Sequence, residues 1–269
     1  MKRTYGFIKG DLDNRDICYF PRLKLDTYPS VFNLMNICSY IFQQLNIGSC
    51  VSNASCLAMM YALQRQNDPN WIPSRLFLYY VTRMLENTTS EDSGCQVRDA
   101  VKALAKFGVC SEISDPYVTE KFAIKPSDDC FAEALSHQII KYESVSQTID
   151  GIKSSIFNGY PVIFGMNVYS SFESEEVGRT GMVSVPKVGE KLLGGHSMLL
   201  CGFDDAIGCF ICANSWGVEW GDSGYCKIPY RYILSKEASD FWNISLVEDK
   251  NNPDVIVKRP FHWWDIFSW

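Results

Sequence analysis

The spacing of apolar residues changes half-way along this chain, and that change limits the folds open to it. In the first half they recur at helical intervals. Ala54, Leu57, Ala58 and Tyr61 follow the i, i+3, i+4, i+7 pattern, so a helix begins at or just after Cys50. Leu76, Phe77, Tyr80, Val81, Met84 and Leu85 form the stripe of a second helix, with Ser74 placed to cap its free N–H groups. Val97, Ala100, Val101, Leu104 and Ala105 form a third, ended by Gly108. In the second half, YPVIFGMNVY (160–169), HSMLLCGF (196–203), GCFICANSW (208–216) and GYCKIPY (224–230) read as strands. The middle two form a hairpin around Asp204-Asp205-Ala206-Ile207, where the adjacent carboxylates are turn formers. Helices first and strands later imply an α+β protein of two lobes. The cleft between such lobes is where a ligand binds.

Charge and composition exclude several classes. The net charge is −6 at pH 7 with no basic stripe, which argues against nucleic acid as a partner. No run of about 18 apolar residues occurs, so no transmembrane segment is expected. The opening MKRTYGFIKGDLDNRD has no apolar run of the kind a secretory signal needs. Eleven cysteines, odd in number and irregular in spacing, read as reduced thiols in a cytoplasmic or otherwise reducing compartment. Cys209 and Cys212 form CxxC on a predicted strand, where they point to opposite faces and cannot chelate a metal. No metal or other cofactor is expected, and the chain is expected to be monomeric. Three segments are expected: an N-terminal extension over residues 1–25, a main domain over 26–245, and an aromatic tail over 246–269.

Within GSCVSNASCLAMMYAL, Cys50 stands at the seam between a turn and a helix. There the helix dipole and the free N–H groups favour a thiolate, which makes a nucleophile of the residue. A nucleophile needs a base, and the chain has three histidines. His137 lies in a mixed polar stretch and reads as structural, and His262 belongs to the tail. His196 opens a strand after Gly194-Gly195, where little crowds a side chain facing a cleft. Asn214, eighteen residues on in Asn214-Ser215-Trp216-Gly217, can orient the imidazole through its carbonyl. Trp216 can cover that hydrogen bond from water. An oxyanion donor is also required. Gln44 precedes Cys50 by six residues, but Gln43 is adjacent and spacing alone leaves both open.

This set of residues resembles the papain family of cysteine peptidases, peptidase C1, in its bacterial and viral branch. The family pattern of Gln, then Cys six residues later, then His, then Asn-Ser-Trp-Gly matches Gln44, Cys50, His196 and Asn214 to Gly217. The likeness runs from about Tyr28 to Ile233. It implies a helical left lobe and an antiparallel β-barrel-like right lobe with the active-site cleft between them. It further implies hydrolysis of polypeptide substrates through an acyl-enzyme, with Gln44 as oxyanion donor, as an endopeptidase. The alternative is an inactive papain-like protein that only binds peptides. The resemblance places Gly94, Cys95, Gly165, Gly194, Gly195 and Trp216 along the substrate path, with room at Gly165 and Gly194 for a large side chain. Ile47 stands where the family carries a half-cystine, so that disulfide is absent. Residues 1–25 are too few for the family's folded prosegment, and are expected to pack on the domain or to lie along the cleft as a short latency peptide.

Overall fold

The structure, a computed structural model, describes residues 3–11, 13–21, 28–66 and 71–248. His262 and the aromatic cluster of the tail lie outside the described residues. The first half supplies a short strand β1 (Val31–Asn33) and the helices α1 (Cys50–Arg65), α2 (Arg75–Leu85), α3 (Val97–Lys106) and α4 (Asp128–Ala134). The second half continues through β2 (Ile139–Ser144), α5 (Ile149–Phe157), β3 (Val162–Tyr169), α6 (Glu175–Thr180), β4 (Leu192–Asp204), β5 (Cys209–Ala213), β6 (Tyr225–Pro229), α7 (Tyr230–Ile233) and β7 (Ala238–Val247). The α+β division follows the change in apolar spacing.

Local chemistry sets the helix boundaries. The Ser74 hydroxyl accepts from the Phe77 N–H at 3.0 Å and starts α2. Gly108, at φ +70°, takes the left-handed turn that follows α3. Helix α1 is buried almost all round, because small and apolar residues cover every face and allow α2, α3, β4 and β7 to pack against it. In α2, Leu76, Phe77 and Val81 are buried as expected, whereas Tyr80, Met84 and Leu85 are only partly covered. Arg83 is fully buried instead. Its guanidinium is satisfied by the carbonyls of Tyr79, Thr89, Glu91 and Phe122, which ties the loop after α2 to the helix.

The strands form one antiparallel sheet in the order β2-β7-β3-β4-β5-β6, with β1 paired to the far end of β4. The path does not close on itself, so the second lobe is an open sheet and not the barrel the resemblance suggested. Residues 17–19 of the extension cover its β2 edge, with Tyr19 N–H bonded to the Ser144 carbonyl and Ser144 N–H to that of Ile17. An otherwise unpaired strand is thereby blunted. β7 continues to Val247, two residues into the segment expected as tail.

Ser74 also donates to the Asp115 carbonyl at 2.7 Å. Ser74→Ala should lower stability by about 1–2 kcal/mol. Urea unfolding should show an earlier midpoint at unchanged slope.

Candidate active site

The β4–β5 hairpin aligns two of the expected residues. Leu199 pairs with Ala213, and carrying that register outward sets Trp216 opposite His196. Asn214 Oδ1 lies 2.8 Å from His196 Nε2 and also accepts from the Ser215 N–H. A carbonyl oxygen can only accept, so Nε2 carries the proton and the lone pair sits on Nδ1. The Trp216 ring lies 5.0 Å from the imidazole at 31° and covers the bond from solvent. His196 Nδ1 makes no hydrogen bond among the described residues.

Cys50 reaches the same place from the other lobe as the first residue of α1. The backbone N–H groups of Ser197, Gly6, Val51 and Cys50 itself approach its sulfur. Ser197 follows His196 directly, so the start of α1 packs beside the His196 position of β4. Both side chains are fully buried. Burial pushes the Cys50 thiol up to about 11, only partly offset by those N–H groups. Burial likewise brings His196 down to about 4, against the pull of Asn214. In this state both groups are neutral at pH 7, and burial outweighs the helix-end stabilisation read from the sequence.

The two glutamines separate. The Gln44 amide N–H donates to the carbonyls of Thr4 and Ile47, each at 3.1 Å, and its oxygen accepts from Ser215. Gln43 turns away and donates to the Trp216 carbonyl. His137 is structural, stacked on Trp71 at 4.1 Å.

The cleft is filled by the chain's own N-terminus. Residues 3–8 form a strap between the lobes. Phe7 N–H bonds to the Gly195 carbonyl at 2.9 Å, Cys95 N–H to the Gly6 carbonyl at 2.8 Å, and Ile8 N–H to the Cys95 carbonyl at 3.1 Å. Cys95 therefore lines the path with its backbone, while its thiol is buried in the core. The Phe7 ring occupies the space over Gly165, where an added Cβ would lie 2.1 Å from it. Tyr5 packs edge-on against His196 and near Gly194, and its hydroxyl donates to Glu173.

One positioning group escaped the sequence reading. The Asp92 carboxylate accepts the Gly48 N–H at 2.8 Å and the Tyr79 hydroxyl at 2.6 Å, and Tyr79 in turn accepts the Gly94 N–H at 3.1 Å. These hydrogen bonds join the turn before Cys50 to the cleft wall. Tyr117 braces the same turn, donating to the Gln44 carbonyl at 2.8 Å and bonding to Ser49 Oγ. No sequence motif marks either group, because their partners lie tens of residues away.

The sequence pattern described as "Papain family cysteine protease" matches residues 33–238. The chain belongs to the papain family. An uncharacterized peptidase C1-like protein of Acanthamoeba polyphaga mimivirus is 37% identical over 276 residues, covering 93% of this chain and 89% of its own length. Xylellain, a cysteine protease from Xylella fastidiosa, matches with a TM-score of 0.83 and 34% identity over 91% of this chain and 98% of its own. A procathepsin B from Trypanosoma congolense shares the fold at a TM-score of 0.74 and 15% identity, over 91% of this chain and 87% of its own. The papain-family pattern thus spans both lobes, and its viral and bacterial relatives agree with the branch read from the motifs.

Asp92→Ala should leave the Gly48 N–H and the Tyr79 hydroxyl unpaired. The expected loss is about 2–3 kcal/mol of stability, with kcat/KM for a peptide substrate reduced about tenfold or more. Asp92→Asn, which keeps an acceptor, should recover part of both. Unchanged kinetics in a folded Asp92→Ala protein would remove it as a positioning residue.

Proposed function

We propose that this papain-family protein is an endopeptidase using Cys50, His196, Asn214 and Gln44. His196 Nδ1 takes the thiol proton as the Cys50 sulfur bonds to the substrate carbonyl carbon. The oxyanion is held by the Gln44 amide and the Cys50 N–H. His196 then returns the proton to the leaving amine, the C–N bond breaks, and a thioester remains. Water, deprotonated at Nδ1, attacks that thioester, the C–S bond breaks, the Nδ1 proton returns to the sulfur, and the acid product leaves. Asn214 keeps the imidazole in the required tautomer throughout.

The observation that carries this reading is the strap. It is an extended polypeptide, hydrogen-bonded to both walls of the cleft, so the same walls can hold the backbone of a peptide substrate. A cleft that accepts chain in both directions favours endopeptidase action. The Phe7 ring over Gly165 favours substrates with a large apolar residue two positions before the scissile bond. The binding-only alternative is not favoured, because all four catalytic positions carry the required groups.

The strap also supports latency. The resemblance puts Gly94, Cys95 and Gly165 on the acyl side of the scissile bond, and Trp216 lies against His196, which must protonate the leaving amine. The strap runs from Trp216 towards Gly94, opposite to a substrate, so it presents no peptide bond in the reactive sense. While seated, it keeps thiol and imidazole buried and neutral.

Cys50→Ala should abolish cleavage of a peptide library, and Gln44→Ala should lower kcat by roughly 100- to 1,000-fold. Full activity in Cys50→Ala would end the reading.

A Cβ at Gly6 would lie 1.8 Å from the Gly48 carbonyl oxygen, so Gly6→Ala cannot seat the strap. This variant should cleave peptides faster than the parent chain. Its thiol should also react with an epoxide probe at lower pH than the strapped thiol, which burial pushes up to about 11. Slower cleavage by a folded Gly6→Ala protein would refute latency.

A further inference from the structure

Beyond the catalytic pair, on the Trp216 side, the cleft opens into a groove of about 570 Å³ lined by Glu173, Glu175, Glu219, Arg179, Trp216 and Trp220. Without the strap it carries three carboxylates against one guanidinium. The strap places a cation there: Arg3 sets its guanidinium 4.3 Å from the centre of the Trp216 ring, and Glu173 attracts the charge. Trp216 is only 3% exposed, and its indole N–H makes no hydrogen bond among the described residues. An electron-rich ring face flanked by carboxylates suits a cation and repels an anion.

We propose that this groove is a substrate subsite for an arginine or lysine two or three residues after the scissile bond. The inference rests on the peptidase reading and adds a substrate class to it. The leaving amine must reach His196, so the residues that follow it are carried towards Trp216. Arg3 lies two residues from Tyr5, which packs against His196, and its extended reach matches that position. An arginine there gains both the ring face and the carboxylates. A glutamate meets Glu173 and Glu219.

The test uses the full chain and internally quenched peptides with one common acyl side carrying phenylalanine two residues before the scissile bond. Arginine, lysine, methionine or glutamate is placed two and three residues after it. Every peptide must displace the same strap, so that cost cancels in the ratios of kcat/KM. Arginine is expected to exceed methionine about tenfold, with lysine between them and glutamate below methionine. In a Glu173→Gln, Glu175→Gln, Glu219→Gln variant the arginine-to-methionine ratio should fall towards one.

A coumarin amide, which has no residue beyond the scissile bond, separates the two readings. If it is cleaved but arginine gives no advantage, the subsite is overturned and the peptidase reading stands. If neither it nor any peptide is cleaved, and Cys50 is unlabelled by the epoxide, both fall. A second measurement reads the groove through the strap itself. Arg3→Glu should speed epoxide labelling of Cys50 several-fold, with Arg3→Lys between it and the parent. Equal rates in all three chains would overturn the proposal.

Discussion

Backbone meets backbone where Gly6 passes between Gly48 and Gly94, and the state of the whole site follows from that contact. A Cβ on Gly6 would sit 1.8 Å from the Gly48 carbonyl oxygen, and one on Gly94 would sit 2.1 Å from the Gly6 oxygen. Only glycine lets the strap come this near, and close approach is what removes water from Cys50 and His196. Desolvation then penalises charge on either group, so the thiol is pushed up and the imidazole down. A second layer fixes the walls that make the contact possible. Asp92 holds the Gly48 turn, Tyr79 passes that constraint to Gly94, and Arg83 anchors the intervening loop through its carbonyl partners. The placement of Cys50 and the cleft width are therefore tied to one hydrogen-bonded unit.

Much of this was legible in the sequence wherever the determinant was local. A helix start at Cys50, a cap at Ser74 and a left-handed turn at Gly108 are each written within a few residues. The hairpin that brings Trp216 over His196 is likewise a matter of register across a short turn. Interactions closed over long separations were not legible. Gly48 and Asp92 are 44 residues apart, and Tyr5 and Glu173 are 168 apart. Strand β7 escaped because both its faces are covered in the middle, with Phe241, Trp242, Asn243 and Ile244 all buried, so its side chains show no clean alternation of apolar and polar. In α2, Arg83 replaces part of the expected stripe because backbone carbonyls satisfy its charge. A polar residue on an inner face defeats a periodicity argument unless its partners are known. The choice between Gln43 and Gln44 came from resemblance, and the structure turns only Gln44 towards the strap.

The extension illustrates how one short segment serves two physical ends. Residues 17–19 cover a sheet edge, where unpaired backbone groups would otherwise invite association. Residues 3–8 use the same kind of backbone pairing in the cleft. Neither stretch has a core of its own; each gains its order from the surface it completes. This explains why the segment reads as polar and aperiodic, although Tyr19 and Gly6 are buried.

The two sides of the cleft differ in how they recognise chain, and that difference bears on proton transfer. On the acyl side the strap is held by backbone hydrogen bonds and by an aromatic ring over glycine, neither of which adds charge. On the other side a cation rests on Trp216, the ring that also covers His196. The Arg3 charge disfavours a second positive charge on the imidazole and helps to lower its pKa. With the strap seated, that effect only adds to the larger one of burial. In a substrate bound the other way round, a cation at the same place would make the imidazolium a stronger acid at the moment it must protonate the leaving amine. Specificity and acid strength would then share one electrostatic origin. The carboxylates of Glu173 and Glu219 limit the penalty, since they stabilise the cation without requiring the imidazole to give up its proton before the amine is in reach.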